Sequence, residues 1–396
     1  MAGKRLTNPA GSSNDLRGDV LRVLGVLKVA TADQIQRIAS PHLTYRHTTK
    51  ATASERKTAR TASHAGALSD LRKHGLAENG GTSRAGESLR NLTTKGLEAA
   101  SYELGRPLTE MGSTARGAGS SGATHPMAVT EIVVAMLRPK PDLRLLTAEP
   151  AEAKAAAQAA VDAPAGVGTI ASYATEVPLP ATGTWGAPGK GGAQADIVLT
   201  APQDGIPLLF IEVDNCHETA EEIAAKLLKY SRFFKRQIKD TDGKDKPTWR
   251  TRWMASVAER GEAPHPPVLM VFNHIGARDP NRTVPRLQEL THPLWAGEPA
   301  DGYSSYDRKI PIIPRPPGRA DEATTGGVPG AAAPRGRAEE GRARGRPPCL
   351  RRLRDEVRQR PMGEHPAVSG AWPPVAPEAV RAVRGQDRRG RGPGRA

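Results

Sequence analysis

Apolar residues recur at helical spacing from residue 14 onward. Leu16, Val20, Leu24 and Leu27 fall three or four positions apart, and Val23 widens the stripe. Asn14 or Asp15 is placed to cap this helix. Thr31-Ala32-Asp33-Gln34 reads as a capping box that opens a second, short helix with Ile35 and Ile38 inward, and Pro41 stops it. A third helix is predicted over residues 57–74, with Leu68 and Leu71 inward, His64 packed on the same face and Gly75 as its stop. Residues 76–81 read as a strand entering a turn and 88–93 as its return. Thr94 then caps a fourth helix reaching residue 104.

The second half changes character. Residues 106–124 are rich in Gly, Ser and Thr and read as a linker. From 127 to 137, Val129, Ile132, Val133 and Met136 recur at helical spacing, with Glu131 on another face. Residues 143–147 predict a strand, and the alanine run 151–163 an exposed helix. Residues 195–199 predict a strand with Asp196 near its start. The run 206–214 is continuously apolar, as in a strand buried on both faces, and ends in Glu212 and Asp214. A helix over 218–238 follows, Ile223, Leu227 and Tyr230 inward and Lys226 and Lys229 flanking. Residues 267–272 supply another buried strand. Helix, three strands, helix, strand predicts an α/β layer fold with a mixed sheet.

Composition then limits what this pattern can cover. The chain has 396 residues and a formal charge of +15, too long for one ordinary domain and basic enough to imply an anionic partner. Residues 315–396 hold 18 Arg and no Lys against 9 acids, with 12 Pro and 13 Gly and no Ile, Phe, Tyr or Asn. Such a segment buries too little apolar surface to offset its ordering entropy and reads as disordered. It is either an arginine-rich arm gripping phosphates or, the favoured reading, the product of a frame slip in a GC-rich gene. The expected organisation is therefore 1–13 disordered, 14–105 a helical domain with a hairpin, 106–124 a linker, 125–314 an α/β domain and 315–396 a disordered tail. Two cysteines far apart exclude a disulfide scaffold and fit a reducing cytosol. Residues 1–5 lead into polar residues, and no stretch approaches the ~18 apolar residues of a membrane span. A cytoplasmic protein without membrane contact is expected.

Three helices, a two-stranded wing and a fourth helix resemble the winged helix-turn-helix fold. That resemblance would send the third helix into the major groove of double-stranded DNA. Arg60, Ser63 and Ala67 are expected on its DNA face, with Arg56 and Lys57 near its start, Asp70 lower on that face, and Arg84 and Arg90 in the wing contacting the backbone. The alternative is a module for protein contacts alone.

In the second half, an Asp starting one strand and Glu-x-Lys ending the next would mark the P-D-(D/E)-x-K nuclease superfamily, a restriction-endonuclease-like fold whose carboxylates hold Mg²⁺. Asp196 and Glu212 resemble this arrangement, and Glu131 matches the acid that some members carry on the first helix. The motif lysine is replaced by Asp214, which is either a spoiler or an extra ligand. Lys226 on the following helix is the candidate replacement cation. Cys216 and His217 are too few for a zinc site.

The winged helix ending in Leu92-Thr93-Thr94-Lys95-Gly96, the segment 125–137, and Asp196…Glu212-Val213-Asp214…Lys226-x-x-x-Tyr230 together resemble the replication-relaxation family of plasmids and integrative elements in high-GC Gram-positive bacteria. The resemblance implies a DNA-binding role in replication, relaxation or mobilisation, with replication or mobilisation proteins as further partners. Two functions follow: a non-catalytic DNA-binding factor, or a Mg²⁺-dependent nicking endonuclease using Asp196, Glu212 and Lys226 with Glu131 and Asp214.

Overall fold

The computed structural model describes residues 7–115, 123–163, 170–185, 191–204, 206–253, 265–273, 276–300 and 303–315. The predicted tail beyond Arg315, residues 116–122 of the predicted linker and residues 1–6 lie outside the described residues. No helix among the described residues is long and apolar enough to cross a membrane.

Local capping sets the first elements. Helix α1 (Asn14–Leu27) is capped by Ser13, one residue before the expected cap, through the Leu16 N–H. A two-residue strand β1 (Val29–Ala30) precedes α2 (Ala32–Ala39), which opens with the Thr31/Gln34 capping box. Helix α3 (Ala53–Lys73) begins four residues earlier than its apolar stripe predicts, because Thr52 and Glu55 form a second capping box. Strands β2 (Ala77–Thr82) and β3 (Ser88–Leu92) pair antiparallel, and β1 adds to the far edge of β3. Helix α4 (Thr94–Leu104) is capped by Thr93 and lies against the chain at Leu76. A Cβ on Gly96 would lie 1.8 Å from the Leu76 carbonyl oxygen, so only glycine permits this approach. Helices α1–α4 and the sheet β1-β3-β2 form the N-terminal module.

Helices α5 (Thr124–Leu137) and α6 (Ala151–Asp162) follow, separated at 143–146 by a 3-10 turn where a strand was expected. Strands β4 (Ser172–Leu179), β5 (Ala193–Ala201) and β6 (Ile206–Asp214) form an antiparallel meander. Helix α7 (Ala220–Lys235) leads through the small hairpin β7 (Gln237–Lys239) and β8 (Asp245–Pro247) to β9 (Val268–Phe272), parallel to β6. Helix α8 (Pro280–Trp295), the hairpin β10 (Glu298–Ala300) and β11 (Tyr303–Ser305), and β12 (Ile312–Arg315) complete the fold. The strand order β12-β9-β6-β5-β4 is a mixed sheet, so the fold is α/β.

The two faces of this sheet bury different partners. Val198, Leu208 and Phe210 pack with Ile223, Leu227, Tyr230 and Phe234 of α7. Ile197, Leu209 and Ile211 instead join Val20 and Leu24 of α1 and Val129 of α5 in one continuous core with Leu68, Leu71 and Leu92. Helices α1 and α5 thus cover the second face of the sheet. Two hydrogen bonds cross the same junction, Thr175 Oγ1 to the Val26 carbonyl at 2.6 Å and Thr130 Oγ1 to the Val29 carbonyl at 3.3 Å.

Candidate functional site

Side chains two apart on a strand share a face, so Glu212 follows Phe210 toward α7. Its carboxylate is 1% exposed. It accepts the Tyr230 hydroxyl, and Lys226 Nζ stands 3.1 Å from its other oxygen, off the line of a hydrogen bond but close enough to pair with it. Tyr230 is held by Phe210 and Phe234 edge to face. Lys226 also reaches Glu218 at 3.2 Å. On the neighbouring strand, Asp196 Oδ2 accepts the Val213 N–H at 2.7 Å, which fixes it beside the end of β6. Asp196, Glu212 and Lys226 therefore converge.

The electrostatics are those of a crowded acidic group. Burial, then the Asp196 charge, pushes Glu212 up to about 7 against the opposing pull of Lys226 and Tyr230. Burial works against the Lys226 ammonium, yet Glu212, Glu218 and Asp196 together hold its pKa above the ordinary lysine value. Burial also pushes the Tyr230 hydroxyl well up, so it stays a donor.

Two further side chains complete the group. His125, from the start of α5, places Nε2 2.9 Å from Asp196 Oδ1, and this bond raises its pKa. Glu176 lies across from Asp196, between the paired positions Thr175↔Ile197 and Val177↔Ala195, with a left-handed φ of 52°. Burial, then Asp196, raises its pKa. Among the described residues, His125, Glu176 and Asp196 offer ligand atoms all within 4.8 Å of one another. Alternation of Tyr173, Thr175, Val177 and Leu179 in the sequence marks β4 and would have put Glu176 on its other face; His125 carried no such signal.

Glu131 and Asp214 are placed elsewhere. Glu131 is half exposed and takes Arg37 in a two-pronged pair at 2.8 and 3.0 Å, with Gln34 Nε2 at 2.9 Å, so it ties α5 to α2. Asp214 turns to the loop after β6, where Oδ1 accepts the His217 N–H at 3.4 Å. Burial raises its pKa although backbone N–H groups of 216–218 oppose it.

The N-terminal module is equally specific about its side chains. Arg60 pairs with Asp33 of α2 at 2.5 Å, Lys57 with Glu87 of the wing, and Arg56 donates to the Lys50 carbonyl at 2.9 Å. Ser63 is exposed, its hydroxyl 3.3 Å from His64 Nδ1. Ala67, expected on the DNA face, is instead fully buried in the core. Asp70 is also buried, accepting N–H groups of Ala10 at 2.9 Å and Ser12 at 3.1 Å and the Ser12 hydroxyl. Residues 10–12 therefore cover the lower part of α3. Arg84 is exposed at the wing tip, whereas Arg90 is held by Asn79 Oδ1 at 2.9 Å.

No curated protein and no solved structure matches the chain. Residues 21–246, which run from within α1 to β8 and include the His125–Glu176–Asp196 group and α7, match the replication-relaxation family model. Those residues are more than half of the sequence, and the chain belongs to the replication-relaxation family.

Proposed function

We propose that this chain is a DNA-binding protein of plasmid or integrative-element replication and relaxation that nicks DNA with a divalent cation. The observation that carries the proposal is the convergence of Asp196 of β5, Glu212 of β6 and Lys226 of α7, with Lys226 Nζ 3.1 Å from Glu212. The lysine of the nuclease motif is absent from β6, and a lysine from the next helix stands where its charge would act.

The donor set fits a cation. One imidazole nitrogen and two carboxylates lie within 4.8 Å of one another, and His125 is 41% exposed, so the group is reachable. A nitrogen donor favours Mn²⁺ or a later metal over Mg²⁺, which prefers oxygen alone. When bound, the cation supplies polarisation of water or of a phosphate oxygen. The protein does the rest. The Val213 N–H fixes Asp196, Lys226 remains charged and offsets charge developing on a phosphate, and Glu212 exchanges a proton near neutral pH. The wing tip at Arg84 and the exposed N-terminal half of α3 would hold the duplex.

A second reading, a non-catalytic DNA-binding factor, is favoured by the enclosure of Glu212 between Tyr230 and Lys226. One experiment separates the two: supercoiled plasmid incubated with protein and Mg²⁺ or Mn²⁺, beside Asp196→Asn and Glu212→Ala. Nicking by the wild type alone supports the enzyme. No nicking with either metal, but a salt-sensitive mobility shift on duplex, leaves the binding factor. Absence of any shift in low salt removes both.

A further inference from the structure

Between the C-terminal end of α1, the turn at 108–110, β4 and the segment after β8 lies a small open cleft. Three cations line it: Lys28, Arg106 and Arg252. Their hydrogen bonds go to neutral oxygens. Lys28 Nζ donates to the Gly25 carbonyl at 2.7 Å and to that of Met111, Arg106 to the Tyr173 carbonyl at 3.2 Å, and Arg252 to the Glu110 carbonyl at 3.0 Å. Arg252 also lies 5.1 and 5.2 Å from the ring centroids of Trp185 and Trp253. Among the described residues, none of the three makes an ion pair with a carboxylate.

Buried charges are ordinarily paired, and three cations sharing one cleft repel one another. Two acids border the cleft, Glu110 and Glu176. Glu176 belongs equally to the His125–Asp196 group, which leaves one carboxylate against three cations. A structural role as ties to carbonyls accounts for one contact from each guanidinium, which has five donors. It gives no reason for three positive charges rather than neutral donors.

We infer that this cleft binds a phosphate group of a nucleic-acid strand, held by Lys28, Arg106 and Arg252. The inference rests on the reading that the neighbouring acidic group acts on DNA. Glu176 borders both places, so the cleft adjoins the acidic group through this one residue. Planar guanidinium forks match phosphate oxygens, and the aromatic surfaces of Trp185 and Trp253 beside Arg252 suit a base on the adjoining nucleotide. The electrostatics agree. Burial and then the Arg106 charge push Lys28 down to about 8 against the pull of Glu176, and burial lowers Arg106 and Arg252 against that of Glu110.

The test measures binding to the full chain without added metal, so a protein that never cuts DNA still gives an answer. A fluorescent single-stranded oligonucleotide and inorganic phosphate are titrated separately at constant ionic strength, by anisotropy and by tryptophan fluorescence. Arg252→Gln and Arg106→Gln should each weaken the oligonucleotide about tenfold and lower the salt slope by about 0.7. Arg252→Lys, which keeps the charge, should retain part of the affinity and checks that packing is intact. Duplex binding through the winged helix should be unchanged. If the variants lose inorganic phosphate but bind the oligonucleotide as the wild type does, the cleft takes free phosphate and the nucleic-acid source is overturned. If the wild type responds to neither probe, or variants of unchanged melting temperature bind both normally, there is no phosphate site.

Discussion

Lys226→Met keeps the aliphatic stem and removes the charge that faces Glu212, and the size of the resulting loss depends on whether Glu212 can take up a proton. For a buried pair that cannot, removing one partner costs about 3–5 kcal/mol. Glu212 titrates in the fold at about 7 against an ordinary 4.5. At pH 8 its neutral form therefore lies only about 1.4 kcal/mol above the charged one. The variant can fall back to that neutral form, whose energy does not depend on Lys226, so the cost at pH 8 is capped near ~1.4 kcal/mol. Loss of the half-exposed pair with Glu218 adds at most about 1 kcal/mol. At pH 6 the neutral form already dominates and the Glu212 part of the cost disappears. The sign follows from the raised pKa. Glu212 costs the wild type stability as pH rises from about 4.5 to about 7, and in the variant its pKa moves higher, extending that loss toward pH 8. Lys226, held above the ordinary lysine value, titrates outside this window. The assay is urea unfolding with EDTA present at pH 6 and pH 8, followed by tryptophan fluorescence. A loss of ~3 kcal/mol or more that is equal at both pH values would refute the proton uptake.

Arg84→Ala should weaken duplex binding and reduce the salt slope by about 0.9, whereas Arg60→Ala, whose guanidinium serves Asp33, should lower stability by roughly 1 kcal/mol with little change in a mobility shift; the opposite order would restore Arg60 to the DNA face. Glu131→Ala should cost under ~1 kcal/mol in unfolding experiments and leave any plasmid nicking intact, since its carboxylate holds Arg37 and Gln34. Asp70→Asn should cost about 1–3 kcal/mol and open residues 7–13 to limited proteolysis; a resistant variant would show that the segment is anchored otherwise. Gly96→Ala should yield no stable folded protein, judged by solubility and circular dichroism, because its methyl would overlap the Leu76 carbonyl.

What could be read from the chain differed by distance along it. Short-range signals located α1, α2, α4 and the β2–β3 hairpin, because Leu16/Val20/Leu24, the Thr31/Gln34 box and the 76–93 turn chemistry act within a few residues. The α/β order and the meeting of Asp196, Glu212 and Lys226 followed from strand ends and helix spacing. Long-range partners were not legible. Nothing local to Arg60 announces Asp33, nothing near Glu131 announces Arg37, and nothing local to Ala67 announces its place in the core that α3 shares with α1. The run 143–147 has strand composition, but among the described residues no strand pairs with it, and 143–146 settle as a 3-10 turn. Glu176 and His125 joined the acidic group only through the register of β4 on β5 and the start of α5.

The apolar core shared by α1, α5, β5 and β6 makes the winged module and the sheet a caliper with fixed jaws. A duplex gripped by the wing would meet the Asp196 pocket at one separation and one angle, because Thr175 is bonded to Val26 and Thr130 to Val29. Position on the DNA would then be counted from the gripped segment in base pairs. Half a helical turn inserted there, about 5 base pairs, would carry the target phosphate to the far side of the duplex, and a further half turn would return its facing but not its distance.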